Sequence, residues 1–422
     1  MRVSVRKNVR KWIILSVKIV ISIALLWWVL KGVSWHDFVL DADGRTHIAV
    51  QDVQDAGSGG LLLVRQDGSS VVRPADGVLA ADPGAATPAG RYIRPGFLRV
   101  VRDIRWPVLA AGSLLFLLQL FVIGYRWWRL LSVQGIAISY REVLRLTWLG
   151  TFFNYIVLGT TGGDLIKAYY ASRHTPHKTE CLVTVFVDRL LGLIGLTLLS
   201  VIMLAVVLAG RALTGEAGLF AGEDAGKLTV AAAVAGGVTA GLLGLGAFAF
   251  SRRLRWAFRL NEIYRRLPLG GHVGRVGEAL RLYRHHLPAL VRAMGHTLIV
   301  HLMFVAGIAL AGVSLGLPIP WYQYVIYIPL IYIIAAVPIV PGGVGLAESF
   351  YVTFFIAWAG RSEILALALL ARLIPMFWAL PGILVAITGP RIPHAEQIQA
   401  EMAQEAGVPG GDAAQAGPLN AN

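Results

Sequence analysis

Two glycine-broken stretches hold the residues best suited to chemistry. Thr161-Gly162-Gly163-Asp164-Leu165-Ile166-Lys167 and Pro341-Gly342-Gly343-Val344-Gly345-Leu346-Ala347-Glu348 each follow an apolar run and turn on a Gly-Gly pair. Each then closes on an aromatic pair, Tyr169-Tyr170 in one and Phe350-Tyr351 in the other. Glycine lets the chain turn and lets a ligand approach the backbone. The N–H groups that open the helix after such a turn carry partial positive charge, which suits a phosphate. Asp164 and Glu348 fall in those first turns, where a carboxylate can cap the same amides. Capping and direct handling of a ligand or proton are both open to them.

Charged residues inside apolar runs narrow the choice of chemistry. Asp188 and Arg189 lie near the start of the run Cys181–Leu208, and Arg372 lies deeper in Ile364–Thr388. A charge facing lipid is costly, so such residues face a cavity or pair with one another. Neighbours in sequence do not face each other on a helix, which suggests Asp164 with Arg189 and Glu348 with Arg372. The alternative for Asp188-Arg189 is a position at the membrane interface, with the long side chain snorkelling to water.

Those residues need a membrane to position them. Of the 422 residues 56% are hydrophobic and 15% charged, and mean hydropathy is +0.65. Several apolar runs reach the roughly 20 residues that cross a hydrocarbon core. The expected fold is an all-α polytopic membrane protein of about eight transmembrane helices, with two glycine-broken, re-entrant segments. The expected spans start with Trp12–Val33, then Pro107–Tyr125, Tyr140–Val157, Cys181–Leu208, Leu228–Phe250, Leu287–Leu315, Trp321–Val340 and Ile364–Thr388, with Ser349–Trp358 as a half-helix. Paired, interrupted helices in corresponding halves point to a transporter's midplane site. The net charge of +14 comes from basic clusters between spans, above all the nine arginines of Arg252–Arg284. That pattern fits the positive-inside rule rather than nucleic acid. It places both termini in the cytoplasm and the protein in the plasma (inner) membrane.

The organisation divides four ways. Residues 1–33 form a basic stretch and an uncleaved first span, since Trp27-Trp28 stands where a signal peptide needs small residues. Residues 34–105 are rich in Asp, Gly, Pro and Ser, and Gln66-Asp67-Gly68-Ser69 sits between Leu61–Arg65 and Ser70–Arg73 as a hairpin signature. This is a small β-rich external insertion, or else a disordered loop. Residues 106–389 are the transmembrane domain, with Arg126-Trp127-Trp128-Arg129 as an aromatic and basic interface anchor. Residues 390–422 are a polar, mobile cytoplasmic tail. The single Cys181 excludes an intrachain disulfide, and His285, His286, His296 and His301 form no recognised ligand motif. Neither a nucleophile–base pair nor a Walker-type loop stands out, so no catalytic residue, metal or cofactor is expected.

The ordered pieces resemble the lysylphosphatidylglycerol synthase transmembrane-domain family, flippase-like proteins also found as the membrane half of aminoacyl-lipid synthases. They are Arg126-Trp127, Phe152-Phe153-Asn154 leading to Gly162-Gly163-Asp164, Asp188-Arg189 with Gly192-Leu193, and Pro341-Gly342-Gly343-Val344-Gly345 with Glu348. The resemblance spans residues 107–388. It implies a helical fold with two re-entrant hairpins and movement or presentation of an anionic phospholipid or polyprenyl-type lipid between leaflets. The headgroup site it implies comprises Asn154, Gly162, Gly163, Asp164, Lys167, Asp188, Arg189, Pro341, Gly342, Gly343, Gly345, Glu348 and Arg372. Gly159, Lys167 and Ala347 depart from the family's usual proline, arginine and basic residue. Lysine keeps the charge but lacks the bidentate fork that grips phosphate.

A flippase is thus the leading expectation, with membrane lipid as partner and the oligomeric state left open. A second is the membrane partner of a separately encoded aminoacyl-lipid synthase. After Thr388 only a short polar tail follows, below domain size, so catalysis by the chain itself is not expected. A third is an envelope scaffold acting through the insertion.

Overall fold

The computed structural model describes residues 33–41, 47–57, 59–80, 92–156, 162–175, 178–214, 225–250, 282–283, 286–336 and 343–388, with Val20, Ala24, Trp27, Leu30 and Lys31. Most of the expected first span Trp12–Val33 therefore lies outside the described residues. So do Pro341 and Gly342, Gly159, His285, most of the arginine block 252–284 and the tail from 390.

Among the described residues six strands follow Val33: β1 Phe38–Asp41, β2 His47–Ala49, β3 Asp52–Gly57, β4 Gly60–Val64, β5 Ser70–Pro74 and β6 Val78–Leu79. They form two antiparallel sheets, ordered β2-β1-β6 and β3-β4-β5. Val39, Val50, Val53, Leu61, Leu63 and Val78 bury a shared apolar cluster. The Asp-Gly hairpin forms between β4 and β5, with Arg65 N donating to Ser69 O at 2.8 Å. Gly68 there has φ +81°, a conformation that disfavours a Cβ.

Eleven helices follow among the described residues. They are α1 Phe97–Arg102, α2 Trp106–Val133, α3 Tyr140–Ile156, α4 Gly162–Ser172, α5 Lys178–Thr214, α6 Ala225–Phe250, α7 Leu287–Ser314, α8 Trp321–Ala336, α9 Leu346–Phe355, α10 Arg361–Ala379 and α11 Pro381–Thr388. Four stretches are long and apolar enough to cross a membrane: Trp106–Val133, Lys178–Gly210, Leu287–Ser314 and Arg361–Thr388. The apolar stretches Ala232–Leu242 and Trp321–Ala336 are shorter. At 1.5 Å per residue α2 and α7 each reach about 42 Å, whereas α4 and α9 reach about 15 Å, half a hydrocarbon core.

The helices α2 and α7 begin alike, with Pro107 and Pro288 in the first turn, where a missing N–H costs nothing. They pack antiparallel along their length. Gly112 of α2 lies so close that a Cβ there would stand 2.9 Å from Leu310 Cβ. Gly195 of α5 meets α7 in the same way, against Thr297 and His301. Small residues at such crossings let helix backbones approach where lipid offers no hydrophobic drive. At one end Arg105 N donates to Ser314 O at 2.8 Å, and the Arg105 guanidinium reaches Val313 O. From Arg105 the chain leads back through α1 to the sheets, and Ser362 Oγ of α10 bonds Ser34 O at 3.0 Å.

Candidate functional site

The first glycine break leads into α4. Asn154, near the end of α3, accepts a hydrogen bond at Oδ1 from Gly163 N at 3.0 Å. A side-chain oxygen thus satisfies an amide that the opening of α4 leaves without a helical partner. Gly163 also lies against Gly150 of α3, where a Cβ would overlap the Gly150 carbonyl oxygen. Asp164 follows in the first turn and pairs with Arg189 Nε of α5 at 2.5 Å.

The second break leads into α9. Gly343 and Gly345 have φ of +65° and +82°, values that suit glycine alone among common residues. Glu348 is 2% exposed. Its Oε2 accepts from Gly345 N at 2.7 Å, and its Oε1 accepts from Arg372 Nε of α10 at 2.7 Å. Arg372 also donates to Gly343 O at 3.3 Å. Capping of Gly345 and pairing with Arg372 coexist here on one carboxylate.

Both pairings expected from sequence are formed, and at nearly the same spacing along the chain. The arginines differ in exposure: 53% of the Arg189 side chain is accessible against 25% for Arg372. Tyr155 follows Asn154 at the end of α3. Its hydroxyl lies within electrostatic reach of Arg189, of Arg372 and of Tyr332 on α8. An arginine from each pairing thus acts on one tyrosine that the sequence did not single out. Its neighbour Asn154 was the only available signal.

Asp188 takes a different partner. It is 7% exposed and accepts from Arg126 Nε at 2.9 Å. Arg126 also donates to Thr297 Oγ1 of α7 at 2.7 Å, and Trp127 Nε1 donates to Thr184 Oγ1 at 3.1 Å. Arg126 and Trp127, expected as an interface anchor, are both buried. They face the interior, because α2 continues to Val133 and turns that face toward α5 and α7. A buried charge needs a counter-charge, and Asp188 supplies it. The interface position considered for Asp188 gives way to this pairing.

Lys167 is 5% exposed, with Nζ 3.8 Å from the Trp127 ring centroid. It is held inside by a cation–π contact, near Asp164 and Asp188. The histidines bond backbone: His286 Nδ1 to Leu282 O at 2.9 Å, and His301 Nε2 to Gly192 O at 2.9 Å. Cys181 is buried as a free thiol, and no group of metal-ligating side chains occurs among the described residues.

Long apolar helices, two short helices opening on glycine breaks and buried ion pairs between helices define a polytopic α-helical membrane protein. The model of the lysylphosphatidylglycerol synthase transmembrane region matches residues 96–382. The chain belongs to that family. A comparison with curated proteins finds no match.

Proposed function

We propose that this protein is a lipid flippase, moving an anionic phospholipid or polyprenyl-type lipid between leaflets of the plasma membrane. The observation that carries the reading is the pair of arginines, Arg189 and Arg372, both within electrostatic reach of Tyr155. Each is tethered to the first turn of a short helix by Asp164 or Glu348. Paired broken helices with charged residues at membrane depth are how transporters build a midplane site. The headgroup phosphate sits between the arginines, the exposed Arg189 meeting it first, while acyl chains stay in lipid. Gly162, Gly163, Asp164, Gly343, Gly345 and Glu348 shape the walls. Asp188 and Lys167 stiffen the cluster behind them.

In this reading α4 and α9 are re-entrant, the spans number about eight, and both termini lie in the cytoplasm with the sheets outside. The lipid is moved and not modified: Asp164 and Glu348 each hold an ion pair rather than activating a nucleophile. No cofactor takes part.

The test is leaflet exchange of labelled phosphatidylglycerol and of a labelled polyprenyl phosphate in vesicles containing the purified protein. Exchange should be accelerated by the native chain, and slowed at least about tenfold by Arg189→Gln or Arg372→Gln, the loss of one charge-assisted contact. Absence of acceleration with either lipid class would sink the proposal.

A further inference from the structure

A basic cavity lies away from the glycine breaks. It occupies about 250 Å³ between the last turns of α2 and the first turns of α7. Arg129, Arg292, His296 and Tyr125 line it over a floor of Leu130 and Ala293. This is the end of the α2–α7 pair opposite the Arg105–Ser314 bond.

Two cations converge there. Arg129 and Arg292 are both exposed, and neither pairs with a carboxylate among the described residues. Arg129 lies 5.9 Å from the Trp128 ring centroid. Arg292, which lines the cavity, donates through Nε to Pro288 O at 3.2 Å. His296 is set by its own bond, Nδ1 to Arg292 O at 2.7 Å. Tyr125 stacks near His296 at 5.2 Å and near Trp128 at 5.7 Å, so the polar groups stand in an aromatic collar. Tyrosine and tryptophan favour the headgroup level of a bilayer, and a planar guanidinium grips phosphate oxygens in pairs.

The surroundings decide between a soluble anion and a lipid. Leu287 is 59% and Val291 70% exposed on the same turns of α7. Apolar side chains flanking a basic pocket fit acyl chains that descend from a bound headgroup. Basic residues on one end of the span pair also match the anionic cytoplasmic leaflet.

We propose that this cavity binds the phosphate of an anionic membrane lipid at the cytoplasmic interface, as a site separate from the Arg189–Arg372 pair. It holds the helix pair α2–α7 in register with the bilayer surface. The site does not rest on the transport reading.

The experiment counts dioctanoyl phosphatidylglycerol bound to the full-length protein in neutral detergent by native mass spectrometry, with dioctanoyl phosphatidylcholine and inorganic phosphate as comparisons. A photoactivatable phosphatidylglycerol maps the contact. Arg129→Gln with Arg292→Gln should weaken one bound phosphatidylglycerol about 30-fold, taking about fivefold for each interfacial arginine. Cross-links should fall in residues 287–296 and vanish in that variant. Arg189→Gln with Arg372→Gln should leave this lipid bound, whatever it does to leaflet exchange. Equal binding by the native chain and a folded Arg129→Gln/Arg292→Gln variant would overturn the site. So would equal retention of phosphatidylcholine, or displacement by millimolar inorganic phosphate, which would assign the cavity to a soluble anion.

Discussion

At the scale of single residues, Glu348 shows how one buried carboxylate serves two purposes. One oxygen holds Gly345 N and the other holds Arg372 Nε, each at 2.7 Å. Removing one partner of a buried pair strands the other charge, at about 3–5 kcal/mol. Glu348→Ala should therefore lower the melting temperature in detergent strongly, and Glu348→Gln less, because the amide oxygen still caps Gly345. Adding Arg372→Gln to Glu348→Gln should restore much of the stability by removing the stranded cation. Leaflet exchange should stay lost in the double variant. A double variant that regains both would reduce the pair to scaffolding. The sequence disclosed this pair because both charges stand alone in apolar runs, where lipid leaves them no other escape. It did not disclose Arg126–Asp188. The Arg-Trp-Trp-Arg pattern is equally that of an interface anchor, and the partner lies 62 residues away. Only the rotation of α2 tells the two apart.

At the scale of elements, the apolar runs mark the helices well. The expected Leu287–Leu315 is α7 Leu287–Ser314, and the expected Tyr140–Val157 is α3 Tyr140–Ile156. Where hydropathy ends and the helix does not, the sequence falls short: α2 runs past Tyr125 to Val133, and α5 spans Lys178–Thr214 rather than Cys181–Leu208. Polar residues buried against neighbouring helices look like span ends in a single sequence. The α3–α4 contact depends on a close approach that hydropathy cannot signal. A Cβ at Gly163 would overlap Gly150 O and stand 2.7 Å from Asn154 Oδ1. Gly163→Ala should cost about 1–3 kcal/mol through overpacking and should break the Asn154 cap. Gly192→Ala is the control, since nothing lies within 4 Å of its added methyl. Paired melting curves and exchange rates should show loss for the first and no change for the second. Equal behaviour of the two would refute the close contact as the reason for glycine at 163.

At the scale of the whole molecule, the sheets and the helices are joined in a way that lets them be separated. Phe38 and Arg94 exchange both backbone hydrogen bonds, Phe38 N to Arg94 O at 3.1 Å and Arg94 N to Phe38 O at 2.8 Å. Such a pair holds its Cα atoms about 5.5 Å apart, the closing pair of a two-residue hairpin. The stem beneath it is anchored independently: Asp37 accepts from Gly96 N at 2.9 Å and from Arg99 at 2.9 Å. Residues 39–93 can thus be replaced by Asn-Gly, which adopts the turn such a hairpin requires. The apolar cluster of Val39, Val53, Leu61 and Leu63 leaves with the sheets and strands no partner on the helices. The shortened chain should insert, keep the melting temperature of its helical part and keep most of the native leaflet exchange. If the sheets are the working part and the helices their anchor, the same excision abolishes the cellular function while the helices stay intact. Exchange lost with an unchanged melting temperature would instead make the sheets part of the transport path, and the site at the glycine breaks would then be incomplete without them.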